Sequence, residues 1–309
     1  MNMNTFTDSS KYPLPKGIAF KQEGKMLILC LSEEGVTANM QKDSCAFEGW
    51  ALCLLANNPD SYEKIRIEWT PVSNLGDTND RPSSKHGHYY RFLYRAYQFK
   101  KNFPDLVEIT PSIEEVFNIE EFKSWILNYP LGKVHESEKT NVNAESHLER
   151  RILELMTPCF DYCDEQLPVG LFYKEIGIKT SRTSRGLSQI DLWSVKQGSL
   201  TIYELKNDEN VSVGIISELM FYSNVMNDLR LHTFNYPETL ESQSNNYRHC
   251  KSLAKDIKKE RIRSIEGVLL ANNLHPRITP AVINLMNNNT SGVKYSYISV
   301  DDFIEALSK

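Results

Sequence analysis

Asp191 stands one short hairpin before Glu204-Leu205-Lys206, and these residue types could do chemistry together. Carboxylates are hard oxygen donors suited to a divalent cation such as Mg2+, which is commonly held through only one or two of them. An amine beside them can orient or activate water. A phosphodiester resists water until its negative charge is offset, so the grouping suits metal-dependent phosphodiester hydrolysis.

The flanking residues predict how such a site is positioned. The runs Gln189-Ile190-Asp191-Leu192-Trp193-Ser194-Val195 and Leu200-Thr201-Ile202-Tyr203-Glu204-Leu205-Lys206 are rich in β-branched and aromatic residues. Gly198 lies in the polar turn between them, which predicts a β-hairpin. Strand alternation then places Leu200, Ile202, Glu204 and Lys206 on one face. The tripeptide Glu-x-Lys alone says little: at roughly 6% usage per residue, about one arises by chance in a chain of this size. Three occur, at Glu23-Gly24-Lys25, Glu121-Phe122-Lys123 and Glu204-Leu205-Lys206. The first sits at a turn behind a polar tail. The second falls in a predicted helix, where positions i and i+2 do not share a face. Only the third lies in a strand next to another strand that carries an acid.

Length and composition bound the rest. A chain of 309 residues is comfortable for two domains, and 40% hydrophobic content can build real cores. Mean hydropathy is −0.44, and no run approaches the ~20 apolar residues of a membrane span. The start, Met1-Asn2-Met3-Asn4, lacks the basic and apolar regions of a signal peptide, so a cytoplasmic location without membrane contact is expected. Cys30, Cys45, Cys53, Cys159, Cys163 and Cys250 are scattered as reduced thiols would be. Cys159-x-x-x-Cys163 and His86-Gly87-His88 lack a second ligand pair at zinc spacing. The net charge of −5 weighs mildly against a nucleic-acid partner, although the distribution of charge matters more than its sum.

Residues 1–130 read as an α+β module: a hairpin over 16–31, a buried helix over 46–56, a strand over 64–69 and a helix over 89–101. No Asp or Glu stands between Arg81 and Lys101, and Arg91 and Arg95 are spaced i,i+4. That helix could contact phosphates, or it could bury its rings and solvate its cations. Residues 131–143 are polar and aperiodic and read as a linker. From Ala144 the expected order is a helix capped by Asn143, a strand over 170–176, the Asp191 strand and the Glu204 strand. A helix over 212–228, a charged helical segment over 247–263, a strand over 267–271, a helix over 279–286 and a strand over 295–300 follow. This alternation implies an α/β fold with a mixed sheet covered by helices.

In order and context, 144–309 resembles the PD-(D/E)xK nuclease superfamily, the restriction-endonuclease-like fold, and within it the RecB-like, Mrr-like and archaeal branched-DNA nucleases. Asp191 matches the family's Asp, Glu204 its second acid and Lys206 its lysine, with Ile190 where many members have proline. The resemblance implies Mg2+, or Mn2+ in its place, held by Asp191, Glu204 and the backbone of Leu205, with Lys206 positioning or activating water. It also implies an acid from the first helix, where Glu145 fits the family's Glu-x-x-Leu start and Glu149 is the other candidate. The helix after the lysine strand carries Gln-x-x-x-Tyr in the RecB-like branch; here it is Glu218-x-x-x-Tyr222. An ionised Glu cannot donate, so Glu218 suits a supporting role better than a phosphate contact. Basic residues before the Asp strand (Lys179, Arg182, Arg185) and along 251–263 (Lys251, Lys255, Lys258, Lys259, Arg261, Arg263) could hold a nucleic-acid backbone.

The resulting expectation is a Mg2+-dependent deoxyribonuclease whose N-terminal module recognises a substrate feature or a partner. The alternative is a catalytically inactive nuclease-fold protein serving as a nucleic-acid-binding or assembly module. Inactive members usually lose one of the three residues, and this chain keeps all of them. Assembly of identical chains is left open by the sequence.

Overall fold

The structure is a computed structural model that describes residues 14–73, 75, 85–122, 126–127, 144–169, 171–172, 188–207, 212–233, 236 and 247–309. The expected linker 131–143, the cap Asn143, Lys179, Arg182 and Arg185 lie outside the described residues, as does most of the strand expected over 170–176.

The first half begins with β1 (Ile18–Glu23), β2 (Met26–Leu31), α1 (Glu33–Thr37), α2 (Phe47–Asn57) and β3 (Lys64–Trp69). α3 (Lys85–Asn102), β4 (Val107–Thr110), α4 (Ile113–Val116), α5 (Ile119–Phe122) and β5 (Ile126–Leu127) follow. The second half contains α6 (Ala144–Met156), β6 (Tyr162–Pro168), β7 (Leu171–Phe172), β8 (Gln189–Lys196), β9 (Ser199–Lys206) and α7 (Gly214–Arg230). It ends with α8 (Cys250–Lys258), β10 (Ser264–Ala271), α9 (Pro280–Met286), β11 (Lys294–Ile298) and α10 (Val300–Leu307).

Two mixed sheets result. One has the order β1-β2-β3-β4 and the other β11-β10-β9-β8-β6, while the short β5 and β7 pair separately. In the second sheet β9 is central, antiparallel to β8 and parallel to β10. The β8–β9 turn needs Gly198 for two reasons. Its φ is +80°, and a Cβ there would come within 2.7 Å of the Arg261 carbonyl oxygen.

Alternation along β9 divides the interior. Leu200 and Ile202 face a large core with Trp193, Val195 and the apolar side of α7. Tyr203 and Leu205 face a smaller core with Ile152 and Met156 of α6 and Val300 and Phe303 of α10. Each such side chain contributes about 1.5–3 kcal/mol by leaving water. The large core continues into the N-terminal half, where α2 packs on α7. Gly49 allows that approach, since a Cβ would meet the Val213 carbonyl oxygen at 2.7 Å.

Several elements differ from the expected order. α1, β4, α4, β5 and β6 fall in segments that it left unassigned, α8 ends at Lys258 and β10 already begins at Ser264. The last strand stops at Ile298, because Ser299 caps α10 by accepting a hydrogen bond from the Asp302 amide.

Candidate active site

The β8–β9 ladder runs from Lys196↔Ser199 to Leu192↔Tyr203 and ends there, one residue short of Asp191 and Glu204. In that gap the Asp191 carboxylate replaces the missing strand partner: its Oδ2 accepts the Leu205 N–H at 3.0 Å. A strand residue's N–H and C=O leave on the same side. The Leu205 carbonyl therefore faces the gap as well.

Glu204 and Lys206 follow on the face set by Leu200 and Ile202. Both are nearly inaccessible, at 1% and 8% exposure, and the lysine Nζ donates to Glu204 Oε1 at 2.5 Å. Glu218 of α7 reaches the same amine, with its Oε2 3.8 Å from Nζ. The other Glu204 oxygen, Oε2, is buried without a hydrogen-bond partner among the described residues. A buried polar atom without a partner is costly, and a water or a cation is one way to satisfy it.

Crowding of carboxylates sets the electrostatics. Burial pushes the Asp191 carboxyl up to about 7 against the pull of Lys206, and Glu218 adds to the rise. Glu204 is raised well above the ordinary carboxylate range by burial, then by Asp191 and Glu218. Burial alone would lower the Lys206 amine, but Glu204, Glu218 and Asp191 outweigh it and the pKa rises. Lys206 is therefore an ammonium donor in the metal-free protein.

The first helix contributes from the opposite side of the sheet. Glu149 is buried at 6% exposure and accepts from Gln166 Nε2 at 3.1 Å, whereas Glu145 is half-buried. Burial raises the Glu149 carboxyl to about 8, with Asp191 and Glu165 adding to the effect. Glu145 also acts on Asp191 by charge. Gln166 has a left-handed backbone (φ 56°) opposite Asp191, where the β6–β8 register has no paired residue. Tyr222 is buried, and its phenol is raised by burial, then by Glu204 and Glu218. It faces the carboxylates rather than open solvent.

The site also includes a residue that the sequence alone does not reveal. Gln41, from the segment after α1, donates from Nε2 to Glu218 Oε2 at 3.1 Å. Nothing local in the sequence marks it, because its partner lies far along the chain. The α3 arginines turn inward instead of presenting their charge to solvent. Arg95 is buried with Glu48, its Nε donating at 2.8 Å, and Ser217 of α7 donates to the same carboxylate at 2.8 Å. Arg91 is buried beside His88, whose imidazole is driven down to about 4 by burial and by Arg91. Along 251–263, Arg261 pairs with Asp256 and Arg263 donates to the Gln197 carbonyl, while Lys255, Lys258 and Lys259 are exposed.

The donor set fits a hard divalent ion. Asp191 and Glu204 supply oxygens, one of them without another partner, and the Leu205 carbonyl faces the same gap. Mg2+ keeps several waters and needs only one or two carboxylates. Among the described residues no cluster of three or more His, Cys, Asp or Glu side chains is poised to hold a metal by itself. All six cysteines are free thiols. No helix among the described residues is long and apolar enough to cross a membrane. Comparison with family models, curated proteins and solved structures found no match to this chain.

Proposed function

We propose that this chain is a Mg2+-dependent deoxyribonuclease of the PD-(D/E)xK type, with Mn2+ as an alternative ion. The carrying observation is the buried, unpartnered Glu204 Oε2 beside Asp191 and Lys206 at the ends of two adjacent strands. Asp191, Glu204 and Lys206 bear three formal charges of mixed sign, and Glu218 adds a further negative one. With all four groups ionised the excess is two negative charges, which one divalent cation would offset.

In this reading Asp191, Glu204 and the Leu205 carbonyl hold the ion, which supplies charge neutralisation at the phosphate and a nucleophile from water. Lys206 acts as a cationic donor that orients the water and faces the charge developing on the phosphate. Asp191 is the least buried of the three, so substrate approaches from its side. Of the α6 acids, the inward-turned Glu149 suits the site better than Glu145. The sequence of helix, strand, Asp strand, Glu-x-Lys strand and helix favours the restriction-endonuclease-like assignment of the fold.

The second reading, a nuclease-fold binding or assembly module, is favoured by the lack of a three-side-chain cluster among the described residues. Calorimetric titration with Mn2+ separates the two. The nuclease reading expects one ion per chain, lost in Glu204→Gln. A parent chain that takes up no divalent ion favours the second reading.

A further inference from the structure

Gln41 belongs to the N-terminal half, yet its side chain ends on a carboxylate of the candidate active site. Its amide orientation is determined by its neighbours. Asn39 Nδ2 donates to Gln41 Oε1 at 3.1 Å, and the Gln41 N–H donates to Asn39 Oδ1 at 3.2 Å. With its oxygen occupied, the Gln41 amide presents Nε2 to Glu218 Oε2 at 3.1 Å. The segment carrying it is pressed against the start of α7. A Cβ at Gly214 would lie 3.1 Å from the Gln41 carbonyl oxygen, and Ser212 Oγ donates to Asp43 Oδ1 at 2.6 Å.

Glu218 Oε2 is also the oxygen that lies 3.8 Å from Lys206 Nζ, whereas Glu204 Oε1 lies at 2.5 Å. Gln41 and Lys206 therefore address the same atom, and Gln41 holds it. A buried carboxylate requires donors. Without the amide, the Lys206 ammonium, 3.8 Å away, is a charged donor near that oxygen.

We propose that Gln41 is a positioning residue of the active site, holding Glu218 away from Lys206 so that the ammonium leans on Glu204. The catalytic consequence rests on the nuclease reading, but the positioning itself does not. The N-terminal half then helps to assemble the reaction centre, in addition to any part in recognition.

The test uses the full chain with Gln41→Met, which keeps the side-chain length and removes the donor, and Asn39→Ala, which frees the amide to rotate. Gln41 and Asn39 are exposed, so both variants should fold. In the metal-free protein, the side-chain nitrogen NMR signal of Lys206, assigned with Lys206→Arg, should move in Gln41→Met and move less in Asn39→Ala. Other lysine signals should stay in place. In cleavage assays, Gln41→Met should lower kcat about 10- to 100-fold, the range for residues that orient ligand-shell groups, with KM for DNA unchanged. An unmoved Lys206 signal in Gln41→Met overturns the positioning role, whatever the activity. A moved signal in a parent chain that cleaves no DNA keeps the positioning role and overturns the nuclease reading instead.

Discussion

Lys206 and Glu204, two positions apart on β9, form a buried ion pair at 2.5 Å whose ammonium is also 3.8 Å from Glu218. One cation thus serves two buried carboxylates. Removing one partner of a buried pair costs far more than the pair contributes, because the remaining charge is stranded. Lys206→Met should destabilise the metal-free protein by about 3–5 kcal/mol in urea denaturation at neutral pH. Glu204→Gln should do the opposite, because it removes the burial cost of that carboxylate and its repulsion from Asp191 and Glu218. Glu218 stays beside the ammonium, so the Lys206 charge is not stranded. The Glu204 pKa is raised on folding, so its ionisation costs stability as pH rises above the unfolded carboxylate value. The advantage of Glu204→Gln should therefore be larger at pH 8 than at pH 5. Equal stability of Lys206→Met and parent would contradict this arrangement.

Glu149 gives a second pH signature. Burial holds its carboxyl up at about 8 in the folded chain, above the ordinary value of 4.5. A raised carboxyl favours folding while both states are protonated, so its contribution is full below pH 4.5 and is lost as pH rises through 8. Glu149→Gln should flatten the fall in melting temperature between pH 5 and pH 8.5 and melt higher than the parent at the alkaline end. An identical pH profile for parent and variant would place the ionised Glu149 in solvent.

The α3 arginines lead to a negative prediction about DNA. Arg95 is buried against Glu48, with Ser217 on the same carboxylate. Arg95→Met should cost about 3–5 kcal/mol in stability by stranding Glu48. It should leave the salt dependence of DNA binding unchanged, since taking one cation off a phosphate would reduce the slope of log K against log salt by about 0.9. A reduced slope in folded Arg95→Met would show that this cation does reach phosphate.

Local chemistry made the hairpin legible: strand-forming runs, a turn glycine and alternation put Glu204 and Lys206 on one face. Long-range partners hid the remainder. β6 is not legible in the sequence because Asp164, Glu165 and Gln166 interrupt any apolar alternation. In the fold Arg248 pairs with Glu165 and His249 with Asp164, both from far along the chain. The spacing of the α3 arginines leaves phosphate contact and solvation both open for the same reason, since Glu48, the partner of Arg95, lies on α2. The charge on Lys206 depends on Glu218, on the next helix, as well as on Glu204 beside it, and only the second is near in sequence. Gln41 carried no local signal at all, because its role exists only where the N-terminal half meets α7.

The most direct measurement is cleavage of single-stranded, double-stranded and branched DNA in Mg2+ or Mn2+ by the parent chain, Asp191→Ala and Lys206→Ala, with folding verified by circular dichroism. Metal-dependent cleavage of at least one substrate by the parent, and its loss in both folded variants, is the expected result. Cleavage that survives both substitutions, or none by the folded parent with either ion, would contradict the nuclease assignment.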